Sequence, residues 1–294
     1  MKRIIIIFTI LFSISYGEIT IREKEVPKRI VSMTLGGDEM LLSFDIDENI
    51  VALGGKISEN EDYSNIVEKA KNFPKAENNL EYILSLKPDF ILVADWMDKD
   101  RIQHLKTSNV NIFCYKTPKN FNEMMNNIKI LSEIFDRKEL GETIISNIKN
   151  RMDYIQSKVN NLKKRKRVFY YTSSGTTSGK GTTFDSISEI GGFINASSEM
   201  GINGRGVISK EKIIEMNPDI ILVPTVSQKY KHNEFIDELL KDKSLSNIDA
   251  VKNNQVYSVE NKYLTAVSQK MILGLEKIVC IVYPEIFSEQ EGEK

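Results

Sequence analysis

The sequence predicts an α/β protein of two similar lobes, each with a mainly parallel sheet flanked by helices, the lobes bridged by a single long α-helix. Three observations carry this. Residues 79–93 (Asn79-Leu80-Glu81-Tyr82-Ile83-Leu84-Ser85-Leu86-Lys87-Pro88-Asp89-Phe90-Ile91-Leu92-Val93) recur as residues 209–223 (Ser209-Lys210-Glu211-Lys212-Ile213-Ile214-Glu215-Met216-Asn217-Pro218-Asp219-Ile220-Ile221-Leu222-Val223), with seven of fifteen positions identical. In each copy proline stops a short helix, because it cannot continue the hydrogen-bond ladder, and the apolar run after it suits a strand buried on both faces. Strands alternate with helices in both halves, as a parallel sheet covered on both sides requires. Between the halves, Leu140, Ile144, Ile148, Met152, Ile155, Val159 and Leu162 recur at steps of three and four. At about 1.5 Å per residue this amphipathic stripe spans roughly 35 Å, the width of a small domain. Two lobes built alike imply a cleft between them, and a cleft implies a ligand.

The elements follow in order. Lys2 and Arg3, the apolar run Ile4 to Ile14 and the small residues of Ser15-Tyr16-Gly17 make residues 1–17 a cleavable signal peptide, too short for a transmembrane helix. The boundaries read 18–136 for the N-terminal lobe, 137–163 for the bridging helix and 164–294 for the C-terminal lobe. The first lobe opens with the strand Arg29 to Met33, a polar turn Thr34 to Asp38 and a helix from Glu39. A strand Ile50 to Leu53 leads into a charged loop Lys56 to Lys75, which contains Tyr63. After the repeat unit come a helix Lys99 to Thr107, the strand Ile112 to Tyr115 and a helix Asn120 to Phe135. The long helix ends in Lys163-Lys164-Arg165-Lys166-Arg167, cations suited to a helix C-terminus. In the second lobe, the strand Val168 to Tyr171, a Ser/Thr/Gly loop Thr172 to Thr183 and a helix Phe184 to Ile190 precede the second repeat. The strand Gln255 to Val259 and a helix Thr265 to Val282 close the chain.

Composition narrows the function. The chain of 294 residues has a formal net charge of −1, or −3 without Lys2 and Arg3, and nothing in it calls for nucleic acid or an anionic membrane. No cysteine lies near Gly17 to take a lipid anchor, so a soluble, exported, monomeric protein held in a periplasm is expected rather than a lipoprotein. Cys114 and Cys280 read as buried thiols, although an exported protein permits a disulfide between them. His104 and His232 are the only histidines, too few for a receptor built on histidine clusters.

Among the motifs, Gly175 to Gly181 superficially matches a phosphate-binding loop, but three rather than four residues separate its outer glycines before Lys180, and Gly181 replaces the hydroxyl residue. A ligand-facing loop at a strand's C-terminal end accounts for the same residues. Glu81 and Glu211 occupy the first turn of equivalent helices, where a carboxylate offsets the helix dipole by about 0.3–1 kcal/mol, and Asn78-x-x-Glu81 fits a capping box. Because the repeat doubles them, the pair also suits a symmetric partner. Trp96, the single tryptophan, follows a strand end and offers a stacking surface, or else packs at a core edge. Thr34, Tyr63, Thr176, Tyr230 and Tyr263 occupy comparable cleft positions. Arg205, between two glycines, suits a carboxylate-bearing ligand or is a solvated loop charge. No nucleophile–base–acid set appears, and no intrinsic cofactor is expected.

Taken together, Arg29-Ile30-Val31-Ser32, Asp38-Glu39, the two Pro-Asp units, Gly181-Thr182-Thr183-Phe184-Asp185, Gly191-Gly192-x-x-Asn195-Ala196 and Ala250-Val251-Lys252-Asn253-Asn254-Gln255-Val256-Tyr257 resemble the periplasmic-binding family that serves iron–siderophore, heme and vitamin B12 ABC importers. The resemblance covers roughly Pro27 to Pro284. It implies two lobes bridged by a helix that move little on binding, with the ligand between them. It also implies that Glu81 and Glu211 dock onto arginines of a dimeric inner-membrane permease. The ligand it implies is an iron–siderophore complex, heme or cobalamin. An enzyme on the same scaffold and a free-metal receptor stand as alternatives.

Overall fold

The two Pro-Asp units do more than stop helices. The computed structural model describes residues 13–14, 17–20, 25–77, 79–108, 110–225 and 234–287. In the first half the strands are β1 (Ser13–Ile14), β2 (Gly17–Thr20), β3 (Ile30–Ser32), β4 (Ile50–Ala52), β5 (Phe90–Ala94) and β6 (Asn111–Tyr115). The helices are α1 (Leu35–Leu41), α2 (Val67–Ala70), α3 (Leu80–Ser85), α4 (Lys99–Thr107), α5 (Phe121–Ile134) and α6 (Lys138–Val159). The second half supplies the strands β7 (Arg167–Tyr170), β8 (Thr176–Ser178), β9 (Ile194–Asn195), β10 (Arg205–Val207), β11 (Ile220–Thr225) and β12 (Val256–Glu260). Its helices are α7 (Thr183–Ile190), α8 (Ala196–Glu199), α9 (Lys210–Met216), α10 (Glu234–Lys241), α11 (Asp249–Lys252), α12 (Asn261–Thr265) and α13 (Met271–Val282). The chain divides into two compact units, residues 1–118 with 122–145 and residues 119–121 with 146–294, so the division falls inside α6.

Each unit holds a parallel sheet of the same order. The first runs β4-β3-β5-β6, with β2 added antiparallel to β6 and β1 antiparallel to β2. The second runs β9-β7-β11-β12, parallel throughout. In both, the chain lays its second strand on one side of the first and then crosses back to place the repeat strand on the other. The repeat strands are therefore central and covered on both faces. Every residue of β5 is buried, as are Ile220 to Val223 of β11. Val31, Ile91, Val93 and Ile112 pack with Ile83, Ile102 and Leu105 in the first unit; Phe169, Ile221 and Val223 pack with Ile213, Met216 and Leu239 in the second.

The identical Pro-Asp pairs have a matching mechanical role. Asp89 accepts backbone N–H bonds from Lys28 (2.8 Å) and Arg29 (2.9 Å), just before β3. Asp219 accepts the N–H of Arg167 at 2.7 Å, at the start of β7. Each aspartate returns its own N–H to the carbonyl of that arginine, at 3.0 and 2.9 Å. The arginine side chains then take up carbonyls at the helix ends: Arg29 donates to Leu86 and Lys87, and Arg167 to Asn217. Lys87 (φ 49°) and Asn217 (φ 40°) are left-handed, the conformation that ends a helix, and asparagine adopts it more readily than lysine.

Several expectations are corrected. The helix after β3 starts at Leu35, not Glu39, because Thr34 caps it and Gly36 and Gly37 belong to its first turn. A Cβ on Gly37 would lie 2.6 Å from Ser32 Oγ, so glycine lets helix and strand approach. The charged loop contains a 3-10 turn at Lys56–Glu59 as well as α2. Asn79 is the cap of α3, accepting the N–H of Tyr82, whereas Asn78 lies outside the described residues. The basic run is not a helix end throughout: α6 stops at Val159 and Arg167 opens β7, ion-paired to Glu199. The stretch 172–183 is not an open loop, since β8 within it pairs antiparallel with the later strand β10. The final helix starts at Met271, not Thr265, and a separate short helix, α12, precedes it; the two meet closely, since a Cβ on Gly274 would lie 2.1 Å from the carbonyl of Tyr263. Most of residues 1–17 lies outside the described residues; of the rest, Ser13–Ile14 pairs with β2 and Gly17 pairs with Tyr115 of β6.

Replacing Asp89 or Asp219 with Ala leaves clamped N–H groups without an acceptor, and each change should destabilise its unit by about 1–2 kcal/mol. Urea unfolding measures this; midpoints equal to the parent's would remove the clamps from the account of stability.

Candidate functional site

Parallel strands end on one edge of a sheet, and ligands of open α/β sheets bind at that edge where the strand order reverses. In the first unit the reversal lies between β3 and β5, and in the second between β7 and β11. Thr34 follows β3 and Asp95-Trp96 follows β5, so the structure brings Thr34 and Trp96 to one crossover point. Thr34 is buried and occupied: its hydroxyl accepts the Gly37 N–H at 3.2 Å and bonds Tyr115 Oη at 2.8 Å. That makes it a helix cap and a brace between β3 and β6. Trp96 is 68% exposed. The Asp95 carboxylate beside it accepts the backbone N–H (3.0 Å) and hydroxyl (2.7 Å) of Thr117, tying together the ends of β5 and β6. Tyr63 lies half-buried in the connection after β4, on the same edge.

Beneath that connection is a buried carboxyl that sequence reasoning did not single out as a site residue. Asp38 on α1 is fully buried and accepts the Gly54 N–H at 2.9 and 3.0 Å on its two oxygens, and the Ser58 hydroxyl. Burial pushes it up to about 7, against hydrogen bonds from Ser32, Ser58 and Gly54 that pull it down, with Glu39 adding to the rise. Burial likewise raises the Tyr115 hydroxyl. Glu39 accepts both amide groups of Asn65 at 3.2 Å, so α1 holds the β4 connection at two points. The second unit repeats the device. Asp185 on α7 accepts the Gly181 N–H (2.9 Å), Asn195 Nδ2 (3.1 Å) and the Ser198 hydroxyl, holding the segment after β9. A threonine cap followed within four residues by an aspartate, at Thr34 and again at Thr182, was the available signal.

In the second unit Thr176 and Arg205 fall on β8 and β10, one ladder. Thr176 is half-buried, 2.6 Å from the Thr172 hydroxyl, and Arg205 is exposed. The stretch that looked like a phosphate loop is the strand β8 between two left-handed glycines, Gly175 (φ 76°) and Gly181 (φ 74°), and α7 is capped by Thr182, beyond Lys180. Tyr263 lies on α12 with Lys262 Nζ 5.2 Å above its ring, and Lys262 also pairs with Glu260 at 2.6 Å. Tyr230 and His232 lie outside the described residues. His104 is exposed on α4. Cys114 and Cys280 are thiols. Among the described residues no three His, Cys, Asp or Glu side chains converge as metal ligands, and no helix is long and apolar enough to cross a membrane.

Glu81 and Glu211 are both exposed in first helical turns. Each of their helices runs back down to start the repeat strand, so each N-terminus lies at the same sheet edge as the strand C-termini. Hydrogen bonds from Ser209 and from its own N–H, helped by Lys210, hold Glu211 below the usual carboxylate range.

The sequence profile of a family described as "Periplasmic binding protein" matches residues 30–263. YvrC of Bacillus subtilis, named an uncharacterised ABC transporter substrate-binding lipoprotein, is 26% identical over 283 residues, 94% of this chain and 85% of that one. The molybdate-binding protein MolA of Haemophilus influenzae is 22% identical over 241 residues, 74% of this chain and 67% of that one. A crystal structure described as a possible iron-binding (periplasmic solute-binding) protein from Staphylococcus epidermidis has a TM-score of 0.74 at 25% identity, covering 88% of this chain and 100% of that one.

Asp38 makes stability depend on pH. The folded chain keeps its proton up to about 7, whereas an ordinary aspartate releases it near 3.8. The native state therefore binds more protons between those values. The contribution is fully present below about pH 4 and is lost as pH rises through 7, on the order of a few kcal/mol. Urea unfolding from pH 4 to 8 should show a decline that Asp38→Asn flattens; an identical slope in the variant would assign the decline elsewhere.

Proposed function

This chain belongs to the periplasmic binding protein family, as a substrate-binding protein of ABC transporters and not an enzyme, and from that premise we propose that its cargo is an iron complex (siderophore or heme) or a corrinoid. The observation that carries the proposal is Trp96, 68% exposed where the first sheet reverses its strand order, with Asp95 fixed beside it. A broad indole face held at that position suits a large, flat or aromatic ligand. Tyr63 on the neighbouring connection adds to the same edge. In the second unit Thr176, Arg205 and Tyr263 supply hydroxyl, cationic and aromatic groups, with Tyr230 part of the proposed set. The name of the Staphylococcus epidermidis relative agrees with an iron ligand; that of MolA makes a small oxyanion the competing choice.

Delivery belongs to the same proposal. Glu81 and Glu211, doubled by the repeat and exposed at equivalent helix starts, are proposed to meet cationic groups on the two halves of a dimeric permease. Export through the leader 1–17, with a mature chain that carries no lipid and works as a monomer, completes it. YvrC is named a lipoprotein, so the mass of the mature N-terminal peptide is informative: an unmodified chain starting at Glu18 is expected, and an added lipid would overturn that part.

Two further outcomes are expected. Heme, cyanocobalamin and a ferric siderophore titrated separately into the protein should produce one spectral change matched by quenching of the tryptophan, whose singularity assigns the signal to Trp96. Trp96→Phe should weaken that ligand about tenfold. Binding of molybdate alone would replace the proposal. Changing Glu81 and Glu211 together to Ala should leave ligand affinity intact and cut uptake in cells, since removing one partner of a desolvated pair costs roughly 2–5 kcal/mol against 0.2–1 for an exposed one. Uptake equal to the parent's would end the docking role.

A further inference from the structure

The basic run Lys163 to Arg167 is only partly used by the fold. Lys166 donates to the Val282 carbonyl at 2.6 Å, lies 5.4 Å from the centre of the Tyr283 ring and faces Glu285 at 3.9 Å. Arg167 pairs with Glu199 and donates to the Asn217 carbonyl. Lys163, Lys164 and Arg165 are exposed, and none of the three has an ion pair among the described residues. A helix C-terminus does not account for them, because its field acts within the last turn and α6 stops at Val159, well short of Lys163.

The connection that carries them is held at both ends. The Leu162 N–H bonds the Val159 carbonyl at 3.1 Å, the Lys166 N–H donates to Tyr283 Oη at 3.3 Å, and the Lys166 carbonyl accepts the Ile194 N–H at 2.9 Å. Three adjacent cations are therefore presented to solvent on a short, fixed segment, and like charges held side by side favour an anionic neighbour. The patch continues onto α6. Lys158, in its last turn, is exposed and lies 5.3 Å above the ring of Tyr154, which is itself 42% exposed. A tyrosine exposed beside cations suits the boundary between water and lipid headgroups, where the ring meets the apolar side and the hydroxyl stays wet. Glu199 and Glu285, by contrast, face the two cations that the fold uses. The net charge of −1 conceals this concentration, because a sum says nothing of where charges sit. Arg167 opens β7, so the run lies at the edge where the strands of the second sheet begin, opposite the edge of Glu211 and the strand ends.

We propose that Lys158, Lys163, Lys164 and Arg165, with Tyr154, form a docking surface for an anionic phospholipid bilayer, which holds the chain loosely at a membrane without a covalent lipid. This goes beyond the cargo proposed above and does not depend on it. Tyr154 favours a lipid surface over a soluble polyanion, which needs only the charges. Because the opposite edge stays free, a chain held in this way keeps the candidate ligand groups of its second unit in water. The attachment is electrostatic, so it is weak, reversible and sensitive to salt.

The test is co-sedimentation with vesicles of equal parts phosphatidylglycerol and phosphatidylcholine, with vesicles of phosphatidylcholine alone, and, separately, binding of soluble inorganic polyphosphate. The parent should sediment with the anionic vesicles at low salt, be released as salt is raised, and ignore the neutral ones. The Lys163→Gln/Lys164→Gln/Arg165→Gln triple variant should lose about fivefold in partitioning per cation, on the order of a hundredfold in all. Thermal unfolding checks that it folds. Lys99→Gln/Lys138→Gln/Lys243→Gln, which removes the same charge from exposed lysines elsewhere, should bind as the parent does. Tyr154→Ala should weaken vesicle binding several-fold and leave polyphosphate binding unchanged. A parent that ignores anionic vesicles, or a triple variant that sediments like the parent, would overturn the proposal. So would an equal loss in the dispersed-lysine variant, which would make net charge the cause. Polyphosphate bound without vesicle binding would replace the bilayer with a soluble polyanion. None of these results alters the affinity for cargo, so they leave the proposed receptor standing or falling on its own test.

Discussion

The rest of the structure depends on how a first strand is held to the third. Once the chain lays β4 outside β3 and crosses back, nothing local keeps β3 and β5 in register, because residues 33–89 intervene. A carboxylate at the start of the repeat strand provides the hold by accepting N–H groups before β3. The same bond, from Arg167 to Asp219, holds β7 to β11. Because both pairs flank the point where strand order reverses, the clamp also determines where the C-terminal edge opens. Packing of β5 and β11 then stabilises a register already chosen, since a slip by one residue would turn every buried side chain toward the opposite face.

A second constraint acts at the opposite edge. Asp38 and Asp185 sit on the helix after each first strand and hold the connection after each second strand, through Gly54 and through the Ser198 hydroxyl. The connection in the first unit bears Tyr63, and the segment held in the second leads through α8 to β10 and Arg205. One aspartate therefore secures the base of each half and another secures the opposite rim. Burying Asp38 is costly for a carboxylate, which is why its proton stays on to an unusually high pH.

Much of this was legible in the residues, for identifiable reasons. The repeat strands were plain because continuous apolar runs after Pro-Asp have few alternatives, and α4 matched its expected span because Asp98 caps it and Ser108 ends it. Turn chemistry was harder. Gly36 and Gly37 read as a turn, yet both are helical; at Gly37 close approach to Ser32 excludes a side chain, a tertiary reason invisible to local propensity. Thr176 to Ser178 read as loop because three polar residues lack an apolar alternation, while their partner strand lies some thirty residues on. Candidate site residues at strand ends could be named from topology alone, but not their occupation: Thr34 and Trp96 follow adjacent strands, and one is a buried cap while the other faces solvent.

The pairing of Gly17–Thr20 with β6 has a practical side. If processing removes residues 1–17, the new amino terminus begins within a strand hydrogen-bonded to the rim of the first sheet. A purification handle or fluorophore attached there would start flush against Cys114 and Phe113, with no slack to carry it away. Labels intended to leave the sheet undisturbed are better joined at the other end of the polypeptide.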